Sequence, residues 1–255
     1  MQLFYCKDIA SGSLATLDAE ESRHAVRVLR KRAGDAVDVT DGRGGLYRCT
    51  VVEADERGCV VESLECVNAS MCECVSADAS ATNAITNLST LHLAVAPTKN
   101  PARMEWLVEK AVEVGVGEIT LLQCDHSERS FLKTDRLERV ALSAMKQSLH
   151  LWLPAINPAV PLREWLSAPG FPPSAQKLIA HCEADKPRIP IADALVAGRD
   201  AVVLIGPEGD FSEDEIALAL ETGFQPVSLG PSRLRTETAA VYAACAFSLI
   251  NDCRQ

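Results

Sequence analysis

Two segments near the C-terminus carry residue types that could bind and act on a small molecule. Residues 204–212 read LIGPEGDFS and residues 229–239 read LGPSRLRTETA, and each follows a short apolar run typical of a buried strand. In an open α/β sheet, ligands bind at the carboxyl ends of the strands, where glycine lets the backbone approach them closely. The two loops therefore predict a pocket with Glu208, Arg235 and Glu237 among its charged groups.

Helix stability accounts for Thr236 and Glu237 but not for Arg235. Thr236 can cap the helix that follows, and Glu237 in its first turn is favoured by the helix dipole, whereas that dipole disfavours a cation at the same end. A cation that binds an anionic or polar substrate is the better account of Arg235. Taken singly, each loop is most simply a structural turn, because Gly and Pro are the commonest turn residues. It is the pair of loops that favours a pocket.

Three further candidates lie at the ends of predicted strands. Lys99 and Arg129 follow such strands, and His181 ends one. Arg129 could hold a phosphate through two hydrogen bonds, with a surface ion pair as the alternative. His181 could line the pocket or be an ordinary core histidine. Lys99 could likewise bind a ligand or lie on a solvated surface.

The N-terminal part of the chain contains a dense basic group. Six basic side chains stand within residues 23–32, which read RHAVRVLRKR. The net charge of −10 argues against a nucleic-acid partner on average, but nucleic acid is bound by local positive charge. This group therefore predicts either an RNA contact or a solvated helix face.

Composition narrows the class of protein. The chain has 255 residues, of which 47% are hydrophobic and 24% charged, as is ordinary for a globular protein. It has no apolar stretch long enough to cross a membrane and no signal-peptide pattern at its start, so we expect a cytoplasmic protein. Neither the dinucleotide glycine fingerprint nor a P-loop occurs in the sequence.

The ten cysteines do not predict a metal site. Near residues 66–74 their spacing lacks the paired pattern of a zinc site, and no histidine is close. Most of the others stand singly in apolar runs and are expected to be reduced and buried: Cys49, Cys59, Cys124, Cys182 and Cys245.

Strand and helix patterns alternate in the second part of the chain, which predicts an α/β fold with a mostly parallel sheet covered on both faces. The predicted strands are 91–96, 118–122, 177–181, 201–205 and 225–229, and the predicted helices are 102–114, 135–149, 213–223 and 237–251. Short strands, a helix over 20–30 and a hairpin over 46–66 precede them. We therefore expect a β domain at 1–70, a linker or surface insertion at 71–88, and an α/β domain at 89–255.

Taken together, these segments resemble the RsmE family, the 16S ribosomal RNA uridine-N3 methyltransferases of the SPOUT superfamily. The motifs are RHAVRVLR at 23–30, PTKNP at 97–101, EKAVEVGV at 109–116, SERS at 127–130, IGPEG at 205–209, and LGP with LRTETA within 229–239. The last two are specific and the others are supportive. The resemblance implies a PUA-like β-barrel for RNA, followed by an α/β domain with a deep trefoil knot. It also implies S-adenosylmethionine in the knot loops, and a homodimer.

The resemblance also implies roles for individual residues. Arg235 would stabilise negative charge on O2 or O4 of uracil, and Glu208 or Glu237 would take the N3 proton or orient the base. The cofactor-binding candidates are Ile205, Gly206, Gly209, Leu229, Gly230, Leu234, Thr236, Thr238 and His181. The RNA-binding candidates are Arg23, His24, Arg27, Arg30, Lys99 and Arg129. The expected partner is 16S ribosomal RNA or the small ribosomal subunit, with no metal and no membrane.

The chain departs from the family pattern at two places. Asp210 stands where the family often has a second glycine after Gly-Pro-Glu-Gly. Residues 146–150 read KQSLH where many members have Glu-Gln-Ser followed by Gly-Arg, so one arginine is missing, with Lys146 or His150 as its replacement. Three alternative functions remain: methylation of another RNA or of a 2′-hydroxyl, a non-catalytic RNA-binding or ribosome-assembly factor, and, more remotely, a nucleotide-dependent oxidoreductase.

Overall fold

The computed structural model describes residues 2–68, 89–128, 132–168, 172, 174–183 and 187–252, which form two compact units. The first unit takes in Met1–Asn87 and Met145–Leu153, and the second takes in Leu88–Ala144 and Pro154–Gln255. The linker predicted at 71–88 lies outside the described residues, so the predicted domain boundaries stay predictions.

The first unit is built on a mixed sheet. Its described strands are β1 (Leu3–Tyr5), β2 (Leu14–Thr16), β3 (Ala36–Thr40), β4 (Leu46–Glu53) and β5 (Val60–Cys66). They lie in the order β1-β3-β4-β5-β2, with β1 parallel to β3 and the other neighbours antiparallel. Along β4, Tyr47, Cys49 and Val51 alternate into the core, as a period of two requires. The hairpin predicted over 46–66 is confirmed.

A short helix, α1 (Ala19–Arg23), follows β2 and runs on as a π-helical turn, His24–Val28. Asp18 caps α1 by accepting hydrogen bonds from two N–H groups of the first turn, at 2.9 and 2.8 Å. Shortly after the π-helical turn comes Arg30, whose φ of +56° is the left-handed conformation usually given to a glycine behind a helix. The predicted helix is confirmed, whereas nothing in its pattern indicated the conformation of Arg30.

The second unit is a parallel sheet covered by helices. Its described strands are β6 (Leu91–Val95), β7 (Glu118–Gln123), β8 (Ala155–Pro161), β9 (Gln176–Ala180), β10 (Ile189–Pro190), β11 (Ala201–Ile205) and β12 (Gln225–Ser228). They lie in the order β10-β12-β9-β11-β6-β7-β8, and every pairing among them is parallel. The parallel sheet predicted from the sequence is confirmed.

Six helices belong to the described part of the chain after β6: α2 (Pro101–Glu113), α3 (Thr134–Ser148), α4 (Leu162–Ser167), α5 (Ile191–Ala194), α6 (Glu213–Glu221) and α7 (Thr236–Asp252). Helices α2 and α7 pack against each other, and α7 also contacts β6 and β11. Strand β11 is buried along its whole length, which explains its uninterrupted apolar sequence.

The sequence analysis missed β8, β10, α4 and α5. Strand β8 contains Asn157, Pro158 and Pro161, and proline within a run argues against a strand because it has no N–H to donate. An edge strand tolerates proline, and β8 and β10 are the two edges of the sheet. Their tertiary position therefore overrides their weak strand propensity.

The prediction for the cysteines is correct for some and wrong for others. Cys49, Cys59 and Cys124 are buried and free, but Cys182 is exposed and Cys245 is half-buried. Cys182 is the second residue after β9 and lies in the wall of a cavity, which an apolar sequence context does not reveal. None of the helices in the described ranges is long and apolar enough to span a membrane.

Candidate active site

A cavity of about 790 Å³ opens at the carboxyl ends of β9, β11 and β12. Its walls are the loops that leave these neighbouring strands, together with the start of α7. Its size is typical of pockets for small molecules and cofactors. All the predicted cofactor-binding residues except Thr238 line it: His181, Ile205, Gly206, Gly209, Leu229, Gly230, Leu234 and Thr236.

Hydrogen bonds tie the loops of this cavity together. The buried Thr236 hydroxyl donates to the Gly206 carbonyl at 3.0 Å, so it links α7 to the loop after β11. Asp210 accepts a hydrogen bond from the Cys182 N–H at 2.7 Å, which joins the loops after β11 and β9. The His181 carbonyl accepts a hydrogen bond from Arg188. These bonds preorganise the cavity before any ligand enters.

The far end of the loop after β11 is held by the start of α6. The Ser212 hydroxyl accepts from the Glu215 N–H at 3.3 Å, and the Glu215 carboxylate accepts from the Ser212 N–H at 2.9 Å, which confirms the predicted capping box. Ser212 also donates to Asp125 at 2.7 Å. This hydrogen bond, with Arg163 3.4 Å away, holds the pKa of Asp125 below its usual value.

Two glycines of the cavity serve different purposes. A Cβ on Gly206 would meet the Phe211 ring at 3.1 Å, so this position lacks room. Gly230 has open space around it but a φ of +105°, which other residues rarely adopt. Gly206 is therefore favoured by close packing against Phe211, and Gly230 by the backbone conformation of its loop.

The three predicted catalytic residues divide between two cavities. Arg235 and Glu208 line the larger cavity, and both are exposed. Glu208 accepts a hydrogen bond from the Lys99 N–H at 3.2 Å. Glu237 instead lines a smaller cavity of about 370 Å³, together with Thr238, and its carboxylate lies 3.6 Å from the Arg103 guanidinium. Arg235 belongs to the walls of both cavities.

Lys99 lines neither of the two cavities. The Lys99 ammonium forms an exposed ion pair with Glu128 at 2.8 Å, and this hydrogen bond raises its pKa. Arg129 lies outside the described residues. His181 is buried just after β9, and its Nδ1 accepts a hydrogen bond from the Glu183 N–H at 3.2 Å.

The basic group of the first unit, at residues 23–32, includes exposed arginines without an ion-pair partner among the described residues. Arg23, Arg27 and Arg30 are exposed, and none of them has an acidic partner within 4.0 Å in the described ranges. His24 is half-buried, with its ring 5.8 Å from that of Phe4. The three arginines therefore suit an external anion better than His24 does.

The departure at residues 146–150 has a structural role. Lys146 forms an ion pair with Glu21, whose side chain is 2% exposed, and both residues belong to the first unit. Lys146 is thus paired with a buried carboxylate, and the replacement of the missing arginine by Lys146 or His150 stays a prediction. Leu149 has a φ of +60°, at the place where the family pattern has glycine.

Three arginines of the larger cavity were not among the residues predicted from the sequence: Arg103, Arg188 and Arg233. Arg103 stands in the first turn of α2 and Arg188 follows β9, and both line the larger cavity. The signal that singled out Arg235, a cation near the start of a helix, also applies to Arg103 and could have identified it. No comparable signal marks Arg188. No group of His, Cys, Asp or Glu side chains in the described part of the chain is arranged to hold a metal.

Comparison with known proteins gives one consistent family. Residues 86–248 match the RNA methyltransferase domain family, and residues 17–62 match the RNA methyltransferase PUA domain family. The ribosomal RNA small subunit methyltransferase E of Aquifex aeolicus is 31% identical over 253 residues, which cover 94% of this chain and 96% of that protein.

Solved structures agree with this result. A probable rRNA-methyltransferase from Porphyromonas gingivalis has a TM-score of 0.84 and 39% identity, with 100% of both chains covered. The ribosomal RNA small subunit methyltransferase E from Neisseria gonorrhoeae, bound to S-adenosyl methionine, has a TM-score of 0.76 and 26% identity, with 98% of both chains covered. The predicted fold class, a SPOUT-type α/β domain preceded by a PUA-like domain, is confirmed.

Proposed function

This chain belongs to the RsmE family of ribosomal RNA methyltransferases, and we propose that it transfers a methyl group from S-adenosylmethionine to N3 of one uridine in 16S ribosomal RNA. The observation that carries the proposal is the preorganised cavity at the ends of β9, β11 and β12, next to two arginines and a buried glutamate. We also propose a cytoplasmic homodimer that acts on the small ribosomal subunit or its RNA.

The larger cavity fits S-adenosylmethionine in size and chemistry. Ile205, Leu229 and Leu234 supply apolar surface for an adenine ring, and the loops around them present backbone groups to its edge. Arg188 and Arg233 stand among the cavity walls as partners for a carboxylate. When bound, this cofactor supplies an electrophilic methyl group on a positively charged sulfur.

The protein must then activate a weak nucleophile. Uridine N3 carries a proton that has to leave as the new bond forms, and the negative charge that develops is shared with O2 and O4. Arg235 stabilises this charge, and Glu208 or Glu237 accepts the proton or orients the base. Positioned proton transfer of this kind is worth about 10²–10⁴-fold in rate.

RNA is held by the basic group of the first unit. Arg23, Arg27 and Arg30 contact phosphates, which fixes the position of the RNA without reading its sequence. His24, Lys99 and Arg129 remain further candidates for this surface.

Calorimetric titration with S-adenosylmethionine, with NAD as the control ligand, tests the cofactor site. We expect micromolar binding of S-adenosylmethionine alone. Gly230→Val should abolish it because it strains the loop, whereas Gly198→Val is the matched control, since Gly198 also has a positive φ and open surroundings but lies outside the cavity. Equal binding by both variants would refute the placement of the cofactor.

Mapping of the product tests the reaction. Mass spectrometry of nucleosides from treated 16S ribosomal RNA distinguishes 3-methyluridine from a 2′-O-methylated nucleoside. Arg235→Ala should lower turnover more than cofactor affinity, whereas Arg233→Ala, at another exposed arginine of the same cavity, should lower cofactor affinity more than turnover. A 2′-O-methylated product would favour the rival within the superfamily, and cofactor binding without any product would favour a ribosome-assembly factor.

A further inference from the structure

We propose that the smaller cavity receives the uracil ring of the target nucleotide, with Glu237 as the acceptor of its N3 proton and Trp106 as the surface on which it stacks. This inference rests on the proposed function, because it names the binding site of the base that is methylated. It assigns the proton transfer to Glu237 and not to Glu208, and it gives the selectivity for uracil a physical basis.

The position of the smaller cavity suits a second reactant. It lies between the starts of α2 and α7, both in the second unit, and has a volume of about 370 Å³. Arg103 and Arg235 line this cavity and also the larger one, so the two spaces adjoin. A methyl donor in the larger space and an acceptor base in the smaller one would meet beside these arginines.

Glu237 is a buried carboxylate with unused hydrogen-bonding capacity. The residue is 7% exposed, and its Oε1 lies 3.6 Å from Nε of Arg103. Its Oε2 is buried and has no hydrogen-bond partner among the residues that the structure describes. A buried polar atom without a partner is unfavourable, so a ligand that brings an N–H to Oε2 gains from satisfying it.

Uracil has the donor and acceptor pattern that this cavity requires. Its N3–H is flanked by two carbonyl oxygens, O2 and O4. A carboxylate accepts from the N–H, while guanidinium groups on either side donate to the carbonyls. Cytosine has no proton on N3, so its lone pair would face the Glu237 carboxylate. The site therefore discriminates between the two pyrimidines at the nitrogen that reacts.

In the proposed step, the N3–H and sulfur–methyl bonds break and an N3–methyl bond forms. The N3–H proton passes to Oε2 of Glu237 and the N3 electron pair forms the bond to the methyl carbon, while the sulfur–methyl bond breaks and its electron pair stays on sulfur. Arg103 and Arg235 stabilise the charge on O2 and O4 as the proton leaves. Glu237 afterwards returns its proton to solvent.

Trp106 supplies the stacking surface. It lies on α2 in the wall of the cavity and is 44% exposed, so its indole ring is accessible to a base that enters the cavity. Stacking of a base on an aromatic side chain strengthens binding by about 10- to 100-fold. The described wall of the larger cavity, in which Glu208 lies, contains no Trp, Tyr or Phe side chain. Glu208 is exposed and accepts a hydrogen bond from the Lys99 N–H.

Tryptophan fluorescence of the whole protein, titrated with millimolar uridine, cytidine and 3-methyluridine without cofactor, tests the inference. We expect uridine to quench the fluorescence and to bind at least tenfold more tightly than the other two nucleosides. Glu237→Gln should reduce this preference to about twofold, because an amide can accept from uridine or donate to cytidine. Glu221→Gln, at an exposed glutamate of the same unit that lines neither cavity, is the matched control and should keep the full preference.

Trp106→Ala should weaken uridine binding at least tenfold, and Trp152→Ala, at a tryptophan of similar exposure in the first unit, should not. The inference is overturned if wild type shows no preference for uridine, or if Glu208→Gln and not Glu237→Gln removes it. A Trp106→Ala variant that changes its sedimentation and still binds uridine would mean that Trp106 joins two copies of the chain, which also overturns its stacking role.

Calorimetry with S-adenosylmethionine distinguishes a failure of the base site from a failure of the proposed function. A protein that binds the cofactor and methylates RNA but has no uridine preference leaves the proposed function intact and refutes only the base site. A protein that binds neither cofactor nor RNA refutes the proposed function itself.

Discussion

Replacing Arg30 with glycine is expected to stabilise the protein and to weaken its binding to RNA. Arg30 adopts a φ of +56°, which is unfavourable for any residue with a Cβ, and its exposed guanidinium has no acidic partner among the described residues. Left-handed backbone at a non-glycine residue is often kept where a function requires the side chain. Glycine removes the strain and the charge together, so the two effects should have opposite signs.

The sizes of both effects can be estimated. The left-handed conformation costs an L-residue about 1–2 kcal/mol, and the greater freedom of glycine in the unfolded chain offsets about 0.4–1 kcal/mol of the gain. The free energy of unfolding should therefore rise by about 1 kcal/mol. If Arg30 contacts one phosphate, the slope of log binding constant against log salt should become shallower by about 0.7–0.9.

Urea unfolding gives the first quantity, and binding to 16S ribosomal RNA over a series of KCl concentrations gives the second. Leu149→Gly is the matched control, because Leu149 has a φ of +60° in the same unit but carries no charge. It should gain stability without any change in salt slope. The reasoning fails if Arg30→Gly leaves the slope unchanged, since the arginine would then be only a solvated end of the helix, or if it is less stable than wild type.

Three further outcomes are expected. Maleimide should label the exposed Cys182 at the cavity and S-adenosylmethionine should slow the labelling, a signal that Cys182→Ser removes. Lys146→Ala should lower the free energy of unfolding by about 3–5 kcal/mol, because it leaves Glu21 buried without its partner, and the loss should shrink in a Glu21→Gln background. Burial lowers the pKa of His92, so the unfolded chain binds a proton at this histidine more readily than the folded chain. The free energy of unfolding should therefore fall as the pH drops below about 6.5. His92→Gln should make the free energy of unfolding less dependent on pH in this range.

The sequence predicted the elements whose pattern is local and missed those whose stability is tertiary. The capping box at Ser212 and the apolar period of α2 are each visible within a single element. Strand β8 is not, because only its place at the edge of the sheet makes Pro158 acceptable there. The fold class could therefore be predicted while two strands and two short helices were lost.

In the candidate site, too, the local sequence pattern predicted some features and not others. Glycine, proline and charge at the ends of strands located the larger cavity, since parallel strands bring their carboxyl ends to one edge. Which way each side chain turns does not follow from such a pattern. Glu208 and Glu237 were equivalent candidates in the sequence, and only the burial of Glu237 and its contact with Arg103 separate them.

Asp210 shows how a departure from a family pattern can preserve a site. Its φ of +64° requires the conformation that glycine adopts most easily, and aspartate is among the few other residues that tolerate it. Its carboxylate then accepts from the Phe211 N–H at 2.9 Å and from the Cys182 N–H at 2.7 Å. A glycine would satisfy the backbone but leave the loops after β11 and β9 without this link. Aspartate is slightly less favourable than glycine in this backbone conformation, but its hydrogen bonds hold the two walls of the cavity together before the cofactor binds.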